Sequence, residues 1–171
     1  MLSAGPPANE HDLGKQLKKV ERSIDSRFER AIDEVSPMAL AGVTRGLYLE
    51  GFGVVFSLEV NVVPTANISP FFRGYNEEQK RTLNRRKQER LKLLVARARK
   101  ILTEEAAKVE ALPADETLAL AISLFYYNWE YITGLPFQVV VQAPKRVLLD
   151  HEAGRLTDSE FNRQIEVRFI F

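Results

Sequence analysis

Glu116-Thr-Leu-Ala-Leu-Ala-Ile-Ser-Leu-Phe-Tyr-Tyr-Asn-Trp-Glu-Tyr131 is the stretch on which the fold turns. Thr117, Ala119, Ala121, Ser123, Phe125, Tyr127, Trp129 and Tyr131 alternate with Leu118, Leu120, Ile122, Leu124, Tyr126 and Asn128. A period of two is that of a β-strand. Both faces are largely apolar, so the stretch is predicted to be a central strand covered on both sides, at least in its first half. An Ala-rich helix competes for residues 114–124, and the aromatic run decides for strand. Thr133-Gly134 makes a turn, after which Phe137, Val139, Val141 and Ala143 alternate with Gln138, Val140 and Gln142. These residues are read as the hairpin partner.

Working outward, a second hairpin precedes the first. Val54, Phe56, Leu58, Val60 and Val62 alternate with Val55, Ser57, Glu59, Asn61 and Val63. The shorter segment Thr44 to Leu49 reaches this strand through the turn Glu50-Gly-Phe-Gly53, and Pro64 ends it. At the far end Ile165, Val167, Phe169 and Phe171 alternate as a last strand. Helices fill the gaps. Leu13, Leu17, Val20, Ile24, Phe28, Ala31 and Val35 recur at spacings of three and four, which is one apolar stripe on a helix of residues 10–35. Asn76 with Gln79 forms a capping-box pattern ahead of a helix over residues 77–111, ended by Pro113. Pro144 opens a short helix with Gly154 behind it, and Thr157-x-x-Glu160 caps another turn.

The fold class that follows is α+β rather than βαβ winding. A mostly antiparallel sheet of about five strands, two hairpins plus a C-terminal strand, packs against a long central helix, with an N-terminal amphipathic helix. The expected division is a disordered N-terminus over 1–8, the amphipathic helix over 9–36, and the α+β domain over 43–171. A 77–111 helix would be ~53 Å long, against a diameter near ~40 Å for a compact chain of this size. It must kink, overhang or pair. Pairing with the first helix, or with a second subunit, would cover the first helix's stripe, and an oligomer is the expectation.

Composition removes many chemistries. The 171 residues contain no cysteine, which excludes thiol nucleophiles, disulfides, iron–sulfur clusters and Cys-ligated zinc. Two histidines, His11 and His151, cannot supply a three-His zinc site within one chain. No nucleotide-binding glycine motif, nucleophile elbow or zinc-protease motif occurs. No Asp/Glu spacing suggests a metal cage, and no cofactor is expected. No stretch approaches ~18 uncharged apolar residues, so no transmembrane segment is predicted. The first residues lack the basic and apolar regions of a signal peptide. The default expectation is therefore cytoplasmic, or extracytoplasmic if the chain is a mature or trimmed form.

Net charge is +1, from 24 basic and 23 acidic residues, so a polyanion partner would have to be recognised locally. Lys80 to Lys100 is such a place, with ten basic residues against Glu89 alone. On a helical wheel Arg81, Arg85, Lys92 and Arg99 form one basic row, and Arg86, Arg90 and Arg97 a second. Such rows suit phosphates or an anionic membrane surface. They also suit a solvated face whose stems cover the stripe's edges and whose charge acidic loops or the first helix neutralise. The last is the leading expectation, because no stacking aromatics or nucleic-acid motif accompany the run.

Tyr127, Trp129 and Phe137 are candidates for a pocket or interaction patch, and Phe71 and Phe72 for a loop anchor. In each case packing on the sheet is the plainer alternative. Asp150-His151-Glu152 is read as a helix-end surface histidine, since adjacent helical residues diverge. The segment Leu148 to Phe161, with its Leu pair, its Gly and a capped Leu-Thr-x-x-Glu-Phe, resembles the short C-terminal helical-hairpin (SHOCT) pattern. It departs from that family by running into a strand, and we read it as capping chemistry reached independently.

Three functions follow, in order. The first is a non-enzymatic protein-interaction or assembly module with a protein partner, self or other, using its amphipathic helices, loop aromatics and the edge strand at 165–171. The second is a polyanion (nucleic-acid) binder through helix 80–100. The third is a small-molecule-binding protein or enzyme with a pocket between sheet and long helix.

Overall fold

A computed structural model describes residues 10–29, 38–65 and 74–171. Its elements are α1 (Glu10–Glu29), β1 (Ala39–Leu40), β2 (Arg45–Leu49), β3 (Gly53–Asn61), α2 (Glu77–Glu105), a 3-10 turn over Ala106–Lys108, β4 (Thr117–Leu124), β5 (Gln138–Pro144), α3 (Lys145–Glu152), α4 (Asp158–Gln164) and β6 (Glu166–Ile170). The N-terminal stretch and the loop with Phe71 and Phe72 lie outside the described residues.

The class is α+β. The sheet runs β1-β3-β4-β5-β6, with β2 also on β3. β1 pairs with residues 60–61 of β3 and β2 with residues 53–57, both antiparallel, so the two lie in line along one side of β3. Both expected hairpins form, β2 with β3 and β4 with β5, and β6 joins β5 antiparallel. One expectation is corrected. The seam between the hairpins is parallel, Val54 opposite Leu118 through Val60 opposite Leu124. The sheet is therefore mixed, and α2 is the crossover that a parallel pair needs. Gly53 opens β3 at φ 130°, and a Cβ there would sit 2.1 Å from the Thr117 carbonyl oxygen, so only glycine fits the seam's first rung.

Val54, Phe56, Leu58 and Val60 of β3, Leu118, Leu120, Ile122 and Leu124 of β4, and Val139, Val141 and Ala143 of β5 share one face and are buried. The helices supply the other half of this core. The α1 stripe of Leu13, Leu17, Val20, Ile24 and Phe28 is buried within the chain, as are Leu83, Leu94, Ala98, Ile101 and Leu102 of α2. Each large residue so covered contributes roughly 1.5–3 kcal/mol. α1 runs back along α2: Gln16 accepts from the Ala111 N–H (2.9 Å), Ser23 donates to Glu105 (2.8 Å), and the Arg27 guanidinium pairs with Glu104 and Glu105.

On the opposite sheet face Ala119 is buried while Thr117, Ala121 and Ser123 are half-buried, and none of them joins the core cluster. Val55 and Val140 flank these small side chains in register.

The decisive stretch itself divides. β4 stops at Leu124, and the Phe125 N–H still donates to the Val60 carbonyl (3.0 Å). Beyond it the alternation persists for another reason. Phe125 meets Tyr127 edge-on at 4.9 Å, Tyr127 stacks on Trp129 at 5.5 Å, and Trp129 stacks on Tyr75 at 4.7 Å. The period of two in residues 125–129 is an aromatic stack, not a continued strand.

Both capping boxes form, at Asn76 with Gln79 and at Thr157 with Glu160. α2 ends at Glu105 rather than near 111, and the chain then tightens into the 3-10 turn. Its exit is held by Lys145, which is buried and donates through Nζ to the carbonyls of Val109 (2.7 Å), Leu112 (2.7 Å) and Glu110 (3.4 Å). Desolvation lowers the Lys145 pKa, with nearby Glu110 opposing.

Candidate functional site

β6 is the last strand of the sheet, and among the described residues it has β5 as its single neighbour. The Phe137 N–H donates to the Ile170 carbonyl (2.7 Å), so Ile170 turns its backbone groups towards β5. Alternate residues of an antiparallel strand turn theirs oppositely. Val167 and Phe169 therefore direct N–H and C=O groups out of the sheet edge. Side chains beside them are exposed: Phe169 by 43%, Ile170 by 48% and Phe137 by 57%. Phe169 lies on the helix side of the sheet opposite Val139, and Ile170 on the open face opposite Gln138. On the open sheet face Glu166 and Arg168 pair within the strand at 3.1 Å. Gln142 of β5 holds both, donating to Glu166 (2.7 Å) and accepting from Arg168 (3.3 Å).

At the other sheet edge α1 answers part of the backbone, although Val43, Leu47 and Leu49 stay exposed there. Glu21 and Asp25, one turn apart on α1, accept from the backbone N–H groups of Gly46 (2.7 Å) and Thr44 (2.9 Å). α1 approaches so closely because residue 46 is glycine. A Cβ there would lie 2.9 Å from the Phe56 ring and 3.3 Å from Leu17.

The aromatic candidates separate. Tyr127 and Trp129 come together in the stack with Tyr75, in a loop pinned to α2. The pin is Lys87, fully buried in a salt bridge with Glu130, with its ammonium 4.9 Å from the Tyr126 ring centre. Desolvation lowers the Lys87 pKa although Glu130 opposes it, and burial, with Glu130, raises that of Tyr126. Asn84 and Gln88 add bonds to the carbonyls of Tyr131 and Thr133, beside a hollow of about 300 Å³ lined by Arg81, Asn84, Tyr131 and Thr133. Phe137 joins no ring contact among the described residues and stands at the β6 end instead.

The fold absorbs part of the basic helix, and Arg86 of the second row stays exposed. Lys87 is buried with Glu130, Arg90 is buried, and Arg97 lies 5.6 Å over the Phe28 ring. Arg99 donates to Asn162 of α4 (2.6 Å), Lys80 pairs with Glu77, and Lys100 lies 3.9 Å from Glu104. Arg81, Arg85 and Lys92 of the first row remain exposed.

His151 does not act with its chain neighbours. Its Nε2 lies 3.0 Å from Asp158 of α4, its ring stacks on Phe161 at 3.9 Å, and Asp150 pairs with Arg155. The pair latches α3 to α4 beside an open groove of about 500 Å³. Sequence reading missed Glu21, Asp25, Glu130 and Asp158 as partners. The i,i+4 carboxylates of α1 were visible, but what they face depends on where α1 docks.

The chain matches no protein-family model, no curated protein and no solved structure. Among the described residues no helix is long and apolar enough to cross a membrane, and no group of three or more His, Asp or Glu is placed to hold a metal ion.

Proposed function

We propose that the chain is a non-enzymatic interaction module that engages protein through the β6 edge. The observation that supports it is the pairing of outward ladder groups at Val167 and Phe169 with exposed Phe137, Phe169 and Ile170. An extended strand added there would gain main-chain hydrogen bonds and cover aromatic surface in one step. The test places a photo-crosslinking phenylalanine analogue at position 169 and, separately, at Leu93, which is exposed on α2. Protein adducts at 169 that vanish with Val167→Pro support an edge interaction. Equal labelling at 93, or adducts indifferent to the proline, overturns it.

A second reading has its own support. Arg81, Arg85 and Lys92 are exposed along one side of α2, as phosphate contacts require. Binding to a labelled oligonucleotide that falls steeply between ~50 and ~200 mM salt, and is lost in Arg85→Glu with Lys92→Glu, would favour it. The third reading loses ground, since Trp129 is packed against Tyr75 and Tyr127 where a ligand would sit.

A further inference from the structure

We propose that the occupant of the β6 edge is the β6 of a second copy, paired antiparallel about a two-fold axis at Val167. The inference rests on β6 being the docking edge and goes on to name its partner. The charges of the strand select both partner and register.

A two-fold pairing that keeps both helix layers on one side sets odd residues opposite odd and even opposite even, so it centres on a single residue. Centred on Glu166 it places two carboxylates directly opposite each other. Centred on Arg168 it opposes two guanidinium groups. Like charges directly opposite destabilise a sheet pair. Centred on Phe169 it sets Arg168 opposite Ile170 and leaves Glu166 without its counter-charge. Centred on Val167 it sets Glu166 opposite the second copy's Arg168, and Arg168 opposite the second copy's Glu166. Both pairs are favourable cross-strand neighbours.

The same register uses the outward groups at its centre. Val167 meets Val167, and its outward N–H and C=O are those of a hydrogen-bonded pair. Phe169 comes opposite Ile165, whose N–H is already given to the Phe161 carbonyl (2.9 Å), so the ladder is centred on Val167 and narrows there. Gln142 of β5 already orders Glu166 and Arg168, which also pair with each other, so the cross-copy pairs would join an existing network. Opposite signs two residues apart thus do two things. They discourage pairing in neighbouring registers, as charged edges do, and they allow one.

Sedimentation equilibrium of the whole chain tests this. The expected wild-type mass is that of two 19.5 kDa chains. Arg168→Glu or Glu166→Arg alone should raise the dimer dissociation constant about ten- to a hundredfold. The double exchange Glu166→Arg with Arg168→Glu should restore it. Val167→Pro, which removes an outward N–H that β5 does not use, should give a folded monomer by circular dichroism. A monomeric wild type overturns self-pairing. If position 169 then still crosslinks to other proteins, the edge reading survives with a different occupant; without such adducts both fall. A dimer indifferent to the charge variants overturns the inference in favour of another surface.

Discussion

The two edges of the sheet treat the same chemical problem in opposite ways. At the β2 edge the outward N–H groups of Thr44 and Gly46 meet the carboxylates of Asp25 and Glu21, and the α1 stripe closes over Phe56. At the β6 edge the outward groups of Val167 and Phe169 meet no element among the described residues, and aromatic side chains stand beside them. Elsewhere the covered parts of the molecule show the habit of the β2 edge. Lys87 is answered by Glu130, and Lys145 by three carbonyls. Among the described residues, the β6 edge is where outward ladder groups and exposed aromatic side chains stand together.

The contrast can be broken or sharpened by substitution. Glu130→Gln strips the buried Lys87 of its counter-charge and should cost about 3–5 kcal/mol in urea unfolding. Lys87→Met with Glu130→Leu should recover most of that loss if pairing, not charge, is what the covered side needs. Ile24→Ala empties part of the α1 contact and should cost about 3 kcal/mol in the same assay. Next, Glu21→Ala with Asp25→Ala leaves two edge N–H groups unanswered, at about 1.5–3 kcal/mol for each lost charged hydrogen bond. In a Val167→Pro background this double variant should also begin to self-associate through β2, seen as a concentration-dependent mass. Stability unchanged by it would mean that the two edges do not differ as described. At concentrations where the wild type is monomeric, Val167→Pro alone should cost little, about 1 kcal/mol or less. Val140→Pro, which removes a donor between β5 and β6, should cost about 3 kcal/mol or more.

The smallest effect concerns the α4 cap before β6. Backbone hydrogen bonding from Thr157, then its hydroxyl, holds the Glu160 carboxyl below its ordinary 4.5. A lowered folded-state value means that the stabilisation is present above 4.5 and is lost as pH falls through that lowered value. Glu160→Gln should therefore lower stability slightly at neutral pH, flatten the acid limb of the stability–pH curve, and converge with the wild type once Glu160 is protonated. A wild-type acid limb identical to that of the variant would show that the box contributes nothing.

What was legible in the sequence was local. Alternation in residues 54–60 and 139–143 placed β3 and β5, Pro144 marked the start of α3, and the two capping boxes were read from three-residue spacings. What was not legible depended on distant parts meeting. The parallel seam needs β3 and β4 side by side, and nothing within either strand states its neighbour. The end of β4 was misread because stacked aromatics reproduce a strand's period of two. Of the acidic partners expected for the basic run on α2, the loop supplies Glu130 to Lys87, whereas α1 offers Arg97 the uncharged Phe28 ring, and both contacts emerge only from docking. Of the candidate site, the edge strand itself was visible; the register of its charges was not.

The parallel seam has a consequence for how quickly the chain folds. Val54 and Leu118 stand in register although 64 residues separate them, whereas each hairpin closes over a short turn. Loop-closure entropy is met before such a distant contact returns anything, and topologies rich in distant contacts fold slowly. Joining the two hairpins is thus the step expected to set the folding rate. Truncations along the seam, such as Leu120→Ala, should slow refolding, whereas changes at β6 should mainly hasten unfolding.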